Sequence, residues 1–149
     1  MTVAKHSPMT MKLAIAGAGG RMGRVLTRII QETEGCAVAG GLEPKDSALV
    51  GTSMGETGVT ITDDPAALFK NIDGIVDFTV PAATLSLVEH SAQAGIVHVI
   101  GTTGIDAAGE EKIRAAGKSA RIVKSGNMSL GVNILASLVR KAAAALVED

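Results

Sequence analysis

The chain has 149 residues and a formal net charge of −1 at pH 7, and 46% of its residues are hydrophobic while only 1% are aromatic. This size suits a single domain with its own core. The balanced charge excludes the basic field of a nucleic-acid-binding surface. No apolar run approaches the ~18 residues of a membrane span. A core of Ala, Val, Ile and Leu with 18 glycines is typical of a parallel sheet covered by helices on both faces.

The first predicted element is a strand that runs into a glycine-rich turn, in the stretch KLAIAGAGGRMG at 12–23. Apolar residues precede the glycines and recur at helical spacing after them, which gives the order strand, tight turn, helix. A Rossmann unit receives a pyrophosphate in this way, with the first amides of the helix directed at the phosphates. The spacing G-x-G-x-x-G is not met, but Gly17, Gly20 and Gly23 fit G-x-x-G-x-x-G. A glycine turn without a ligand is the alternative interpretation.

The second predicted strand ends in an acidic residue at the interval that a dinucleotide site requires. A helix is predicted over residues 21–33 and a strand over residues 36–42. Glu43 then lies where a dinucleotide-binding unit places the carboxylate that binds the adenosine ribose, about 20 residues beyond the glycines. The alternative is a solvated glutamate at a strand end. Lys45 can pair with a 2′-phosphate and so admit NADPH beside NADH, or it is a surface charge.

The next part of the chain combines a loop with the start of a helix. Residues 46–58 are polar and glycine-rich, which predicts a flexible surface loop, and residues 59–62 are predicted as a short third strand. Asp64 and Pro65 then open a helix, as its N-cap and its first helical residue.

The fourth strand is predicted over residues 74–78 and precedes a helix over residues 82–94. It carries Asp77, a carboxylate in an apolar run that must find hydrogen-bond partners or lie at the strand end. Phe78 arrives at the carboxyl end of the strand, where ligands bind in open α/β sheets. Packing in the core is the alternative role for its ring.

Two further strands, over residues 96–100 and 120–124, end in polar segments. The first runs into GTTG at 101–104, which is either a polar loop at the binding edge or a generic turn, and the second runs into SGNM at 125–128. Helices are predicted over residues 106–118 and 129–147, the last one capped by Ser129. The alternation of about six strands with helices predicts a doubly wound, mainly parallel α/β sheet of the Rossmann type.

Several features carry no predicted chemistry. Residues 1–10 are polar, lack the apolar core of a signal peptide and are expected to be a disordered leader. The single cysteine, Cys36, excludes an internal disulfide and is typical of a cytoplasmic protein. His90 is predicted on a helix surface and His98 at a buried or edge position of a strand. The histidines match no metal-ligand spacing, so no metal site is expected.

Five motifs occur in order along the chain: GAGGRMG at 17–23, Glu43, DFTVP at 77–81, GTTG at 101–104 and SGNMSLGVN at 125–133. Together they strongly resemble the dihydrodipicolinate reductases, the 4-hydroxy-tetrahydrodipicolinate reductases of bacterial lysine and diaminopimelate synthesis. The resemblance implies a Rossmann domain over residues 11–128 that binds NADH, NADPH or both. It also implies hydride transfer to a cyclic dicarboxylate substrate, a cytoplasmic location, and a homotetramer for the intact protein.

The resemblance assigns cofactor contacts along the carboxyl edge of the sheet. The pyrophosphate and the adjoining ribose would lie on Gly17, Ala18, Gly19, Gly20, Arg21 and Met22. The adenosine ribose would contact Glu43, with Lys45 nearby. The nicotinamide would be bordered by Phe78, Gly101, Thr102 and Thr103, of which Thr103 also lies near the substrate. The last strand would close over the nicotinamide with Ser125, Gly126, Asn127 and Met128.

The chain departs from the family pattern at two points. Many members carry an arginine directly after the ribose-binding acid, whereas this chain has Pro44 there, which leaves the preference between NADH and NADPH open. The family's His-His-x-x-Lys-type segment, which supplies the catalytic acid and binds the substrate carboxylates, has no counterpart in the sequence. Residues 129–149 are therefore expected to be a connecting helix towards a substrate domain. No catalytic residue is expected in this chain, and turnover by it alone is expected to be weak or absent.

The sequence is also compatible with two other functions. One is the cofactor domain of another amino-acid-pathway dehydrogenase, such as a homoserine or aspartate-semialdehyde type, which GTTG and the Asn127-Met128 pair disfavour. The other is a stand-alone nucleotide-sensing or CoA-binding regulatory module, because Rossmann domains serve many functions. Glu43 disfavours CoA, since an acid at this position suits a ribose diol and repels a phosphorylated ribose.

Overall fold

The strands form a single parallel sheet in a computed structural model of the protein, which describes residues 10–147. Six strands are present: β1 (Met11–Ala16), β2 (Cys36–Leu42), β3 (Ile61–Thr62), β4 (Gly74–Asp77), β5 (Val97–Ile100) and β6 (Arg121–Lys124). Neighbouring strands all pair in parallel, in the order β3-β2-β1-β4-β5-β6. This is the Rossmann order, with the topological switch point between β1 and β4. The predicted doubly wound α/β fold is confirmed, and the predicted leader falls almost wholly outside the described residues.

Helices follow most of the strands: α1 (Arg21–Glu32), α2 (Pro65–Leu68), α3 (Pro81–Ala94), α4 (Ala107–Ala116) and α5 (Leu130–Val147). Short 3₁₀ turns lie at Gly55–Thr57 and Phe69–Asn71. The predicted N-cap of α2 is confirmed, because the Asp64 carboxylate accepts a hydrogen bond from the Ala67 amide at 3.0 Å. Asp106 caps α4 in the same way, with 2.7 Å between its carboxylate and the Gly109 amide nitrogen.

The side chains of β1 alternate between the two faces of the sheet, as successive residues of a strand do. Ala14 and Ala16 belong to a core cluster that contains Leu87 of α3, whereas Ile15 belongs to a second cluster that contains Ile30 of α1. Helix α1 therefore covers one face and α3 the other. A third cluster joins α3, β5 and α4 through Val88, Ile100 and Ile113.

The segment over residues 46–58 is packed more closely than the sequence predicted. Met54 is only 3% exposed and packs in the cluster of Ile15 and Ile30. Two backbone hydrogen bonds, Gly51 N–H to Ile61 O and Ile61 N–H to Thr52 O, both 2.9 Å, fasten the segment to β3. The segment lies at the surface as predicted, since most of its residues are exposed, but Met54 and these two hydrogen bonds fasten it to the core and to β3.

Helix α5 makes no packed interface within residues 10–147. Its apolar side chains are exposed, among them Leu130 at 76% and Leu138 at 57%. Ser129 supports the start of the helix as predicted, since its Oγ accepts a hydrogen bond from the Val132 amide at 3.4 Å. In the part of the chain that the structure describes, no helix combines the length and apolar character that crossing a membrane requires.

Candidate functional site

The turn between β1 and α1 is held tightly by backbone hydrogen bonds. Gly17 has a φ of 72°, which favours glycine, and its amide donates to Leu42 O at 2.9 Å. The Gly20 amide donates back to Gly17 O at 3.0 Å. A Cβ at Gly23 would collide with the carbonyl oxygens of Gly17 and Ala18, so α1 begins this close to the turn only because residue 23 is glycine.

The N-terminus of α1 offers amide groups that no side chain within residues 10–147 caps. Its N-cap residue is Gly20, and its first turn contains no acidic residue. The amides of Arg21, Met22 and Gly23 precede the first intrahelical hydrogen bond, which leaves them available to an anion. Ala18 differs from its neighbours in the motif, because its methyl group is buried in the core with Ile15, and its contribution to a ligand would come from its backbone.

Glu43 is bound directly to the glycine turn. Its Oε1 accepts a hydrogen bond from the Gly19 amide at 2.7 Å, and its own amide donates to Thr62 O at 3.1 Å. This contact fixes the carboxylate beside the turn and leaves its second oxygen as a further acceptor. The structure therefore joins the two motifs that the sequence assigned to the pyrophosphate and the adenosine ribose.

A cleft of about 450 Å³ opens at the switch point of the sheet. It is lined by Gly17 and Gly20 from the turn, by Glu43, by Asp63 and by Phe78. Asp63 was not among the residues predicted from the sequence; it enters the site because β3 pairs with β2 and brings its end beside Glu43.

Lys45, which the sequence offered as a partner for a 2′-phosphate, is exposed and does not line this cleft. The described residues that line the cleft thus include two carboxylates, those of Glu43 and Asp63.

The ends of β4 and β5 are in contact at the same edge of the sheet. The Phe78 ring lies directly against Gly101, where a Cβ would overlap the ring carbons. The Gly101 amide donates to Asp77 O at 2.8 Å. Thr103 is exposed, while the side chain of Thr102 is buried.

The segment over residues 125–128 follows β6 at this edge but lies outside the cleft. Ser125 Oγ donates to Asn127 O at 2.9 Å, and Asn127 Oδ1 accepts from the Ser129 amide at 2.7 Å. Asn133 Nδ2 donates to Asn127 O at 3.0 Å, which ties the segment to α5. Gly126 and Met128 are exposed. The structure thus separates the predicted site residues into a cleft group and an outer group along one edge.

A buried carboxylate lies behind the Phe78–Gly101 contact. Asp77 is the last residue of β4, and its Oδ1 accepts from the Thr79 amide at 2.9 Å and from Thr79 Oγ1 at 2.6 Å. Its Oδ2 lies 3.3 Å from Nε2 of the fully buried His98. Burial raises the pKa of the Asp77 carboxyl, but the hydrogen bonds from His98 and Thr79 outweigh this effect and hold the pKa below its ordinary value of 3.8. Both sequence expectations for Asp77, partners and a strand-end position, are met.

His98 has its second partner in α3. Its Nδ1 lies 2.9 Å from Ser91 Oγ, which is also 2.9 Å from Leu87 O. The sequence placed His98 at a buried or edge position of a strand, and burial is confirmed, but the link to Ser91 was missed. Only the alternation of polar Asp77 and His98 with apolar residues on neighbouring strands signalled a buried polar pair.

The arrangement fits a dinucleotide at the carboxyl edge of the sheet. The glycine turn and uncapped α1 amides suit a pyrophosphate, and the Glu43 carboxylate suits a ribose diol. The cleft reaches from these groups to Phe78, beyond which lie the ends of β5 and β6.

Comparisons with known proteins identify the family of the chain. The family model described as dihydrodipicolinate reductase, N-terminus, matches residues 11–128. A 4-hydroxy-tetrahydrodipicolinate reductase of Parvibaculum lavamentivorans is 54% identical over 143 residues, which cover 91% of this chain and 53% of that protein. The chain therefore spans about half the length of the curated relatives it matches.

Two solved structures share the fold at low identity. A dipicolinate-bound dihydrodipicolinate reductase from Paenisporosarcina sp. TG-14 superposes with a TM-score of 0.60 at 22% identity, over 72% of this chain and 43% of that one. RSP, solved with β-NAD⁺ and operator DNA, superposes with a TM-score of 0.63 at 15% identity, over 93% of this chain and 60% of that one. At these identities the structures support the fold alone, whereas the family model and the close relative decide the family. The chain belongs to the dihydrodipicolinate reductase family and corresponds to its N-terminal part.

Proposed function

We propose that this chain is the cofactor-binding part of a 4-hydroxy-tetrahydrodipicolinate reductase and that it binds NADH or NADPH in the cleft at the switch point. The observation that carries the proposal is the 2.7 Å hydrogen bond between the Gly19 amide and Glu43 Oε1. It places a carboxylate acceptor beside uncapped helix amides, and a nucleoside diphosphate presents the matching pair, a ribose diol next to a pyrophosphate.

The two halves of the sheet would hold the two halves of the cofactor. The turn over residues 17–22 would bind the pyrophosphate, and Glu43 would accept from the adenosine ribose hydroxyls. The ends of β4, β5 and β6 would border the nicotinamide through Phe78, residues 101–103 and residues 125–128, with Thr103 reaching towards the substrate.

The chemistry divides between the cofactor and the protein. When bound, a reduced nicotinamide supplies a hydride to the cyclic dicarboxylate substrate. The residues of this chain bind and orient the cofactor, and none of them is proposed to act as the catalytic acid. We infer that residues 129–149 connect this part to the substrate-binding domain of the family, which is not included in this sequence. Turnover by the chain alone is therefore expected to be weak or absent.

The proposal extends to the intact protein as a cytoplasmic homotetramer. The balanced charge and the reductase relatives support a small-molecule substrate rather than a nucleic acid or a membrane. Sedimentation of the full-length protein tests the assembly.

Calorimetric titration of the 149-residue chain with NADH, NADPH and CoA tests the binding function. We expect dinucleotide binding in the cleft and none of CoA. Binding of CoA without either dinucleotide would favour the regulatory module and overturn the proposal.

Two substitutions at Glu43 separate its contacts. Glu43→Gln keeps an oxygen for the Gly19 amide but removes the charge offered to the ribose, whereas Glu43→Ala removes both. Because a hydrogen bond to a charged group is worth about 1.5–3 kcal/mol, Glu43→Gln should weaken NADH binding roughly tenfold or more. Glu43→Ala should weaken it further. Glu56→Gln, which removes an exposed carboxylate on the loop over residues 46–58, is the control and should leave the affinity unchanged.

A further inference from the structure

A chain of buried polar side chains lies directly behind the loops that follow β4 and β5. Ser91, His98 and Asp77 are each 0% exposed. Ser91 Oγ is 2.9 Å from His98 Nδ1, and His98 Nε2 is 3.3 Å from Asp77 Oδ2. An ionised carboxylate only accepts hydrogen bonds, so Nε2 carries the proton of the His98–Asp77 contact.

The other oxygen of Asp77 connects to both loops. Asp77 Oδ1 accepts from Thr79 Oγ1 at 2.6 Å and from Thr102 Oγ1 at 3.4 Å. Thr84 Oγ1 at the start of α3 donates to Thr102 Oγ1 at 2.8 Å. The loop after β4 and the loop after β5 are therefore fastened to one carboxylate.

Stability alone does not account for these residue types. Buried ionic and polar networks are often no more stabilising than apolar side chains of the same volume. Ile75 and Ile100 are neighbours on the same face of the sheet, and both are fully buried apolar residues. Unlike apolar packing, the hydrogen bonds of the network fix the orientation of the groups that they join.

We propose that the buried Ser91–His98–Asp77 network positions the nicotinamide half of the cofactor. Through Thr79 and Thr102 it holds the adjoining Phe78 and residues 101–103 in the binding geometry before the cofactor arrives. This inference rests on the proposed function. The three network residues are positioning residues, since all of them are fully buried and none lines the cleft. Thr102 acts in the same way, because its side chain is buried and hydrogen-bonded to Thr84 and Asp77.

The test compares NADH with ADP-ribose, which shares the adenosine and pyrophosphate but lacks the nicotinamide. His98→Leu should weaken NADH binding about tenfold. Loss of the hydrogen bond to Asp77 would shift the loops after β4 and β5, and a small shift of positioning groups is enough to weaken binding. The affinity of the same variant for ADP-ribose should change less than about twofold, because sites that share no contacts affect each other by no more than this. His98→Gln retains an N–H donor for Asp77 and should restore most of the NADH affinity.

A matched control is available in α1. Thr27→Val removes another buried hydroxyl, which donates to Gly23 O at 2.8 Å, without touching the network. It should leave the ratio of NADH to ADP-ribose affinity unchanged. If His98→Leu does not fold, Ser91→Ala replaces it at the far end of the network and carries the same expectation with a smaller effect.

The outcomes separate the inference from the function on which it rests. Equal weakening of both ligands, or unchanged NADH binding in a folded variant, overturns the positioning role and leaves the proposed function standing. If the unsubstituted chain binds neither NADH nor ADP-ribose, the proposed function fails and the inference fails with it.

Discussion

The ring of Phe78 covers Gly101 so closely that no side chain fits at position 101. Phe78 follows β4 and Gly101 follows β5, so this contact joins two strand ends at the proposed nicotinamide edge. It explains why an aromatic residue and a glycine occur at equivalent points of two neighbouring strands.

Replacing Gly101 by alanine should therefore displace the ring. Overpacking of this kind destabilises by about 1–3 kcal/mol, measurable as a shift of the urea unfolding midpoint, and NADH affinity should fall with it. Gly117→Ala is the control, because position 117 has an ordinary helical φ of −62° and room for a Cβ. The double substitution Phe78→Ala with Gly101→Ala should lose less stability than the sum of the two single changes. Additive losses would show that the two residues are not coupled.

The buried carboxylate of Asp77 makes stability depend on pH in the acid range. Its folded-state pKa lies below the ordinary value of 3.8, because hydrogen bonds from His98 and Thr79 outweigh the effect of burial. Between the two values the unfolded state binds more protons, so stability rises with pH there and is lost as pH falls through the folded value. The stabilisation is fully present above the unfolded pKa.

Asp77→Asn should remove this contribution. Breaking a buried, hydrogen-bonded pair destabilises by about 3–5 kcal/mol, so the variant should unfold at a lower urea concentration than the unsubstituted chain at pH 7. The difference between their free energies of unfolding should become smaller towards pH 3. Urea unfolding at a series of pH values measures both. Asp46→Asn, at an exposed position, should follow the unsubstituted chain throughout. A difference in free energy of unfolding that stays constant down to pH 3 would contradict the role of Asp77.

Periodicity and glycine spacing predicted the sheet, its helices and the turn at 17–23, because these depend on local patterns. The ends of the predicted strands and long helices lie within two residues of those observed. The interval from the glycines also singled out Glu43 as a candidate ribose ligand, but its hydrogen bond to the Gly19 amide became visible only in the structure.

What the sequence did not reveal depends on pairings between distant elements. Met54 looked like part of a polar loop, and only the packing of that loop on α1 and β1 explains its burial. Ser91 joins His98 because α3 lies across β5, and no spacing along the chain signals this contact. Asp63 reaches the cleft for a similar reason, through the pairing of β3 with β2.

Asp63 bears on the choice between NADH and NADPH. Together with Glu43 it gives the cleft two negative charges where the adenosine ribose is proposed to bind, and these would repel a 2′-phosphate. Lys45 does not line the cleft. We therefore expect the chain to prefer NADH. Since an exposed charge contributes about 0.2–1 kcal/mol, Asp63→Asn should improve NADPH binding about 1.5- to fivefold and leave NADH binding nearly unchanged.

Calorimetry at two salt concentrations checks the electrostatic origin of this preference. The gain from Asp63→Asn should shrink at high salt, because exposed charges are screened there. Lys45→Ala is the companion variant, and a strong loss of NADPH affinity in it would show that the lysine, and not Asp63, governs the preference.

Helix α5 should contribute almost nothing to the stability of the chain. Its apolar side chains, such as Leu135 at 60% exposure, have no packing partners within residues 10–147. Deleting residues 130–149 should therefore change the free energy of unfolding by less than about 0.5 kcal/mol, as exposed positions do. Leu135→Ala should likewise have little effect, while Leu87→Ala, at a buried position of α3, should lose about 2–5 kcal/mol of stability.

The shortened chain should also bind less of a hydrophobic dye and self-associate less, because the deletion removes an exposed apolar surface. A large loss of stability on deletion would mean that α5 packs against the Rossmann domain in solution, and the connecting role proposed for residues 129–149 would then have to be given up.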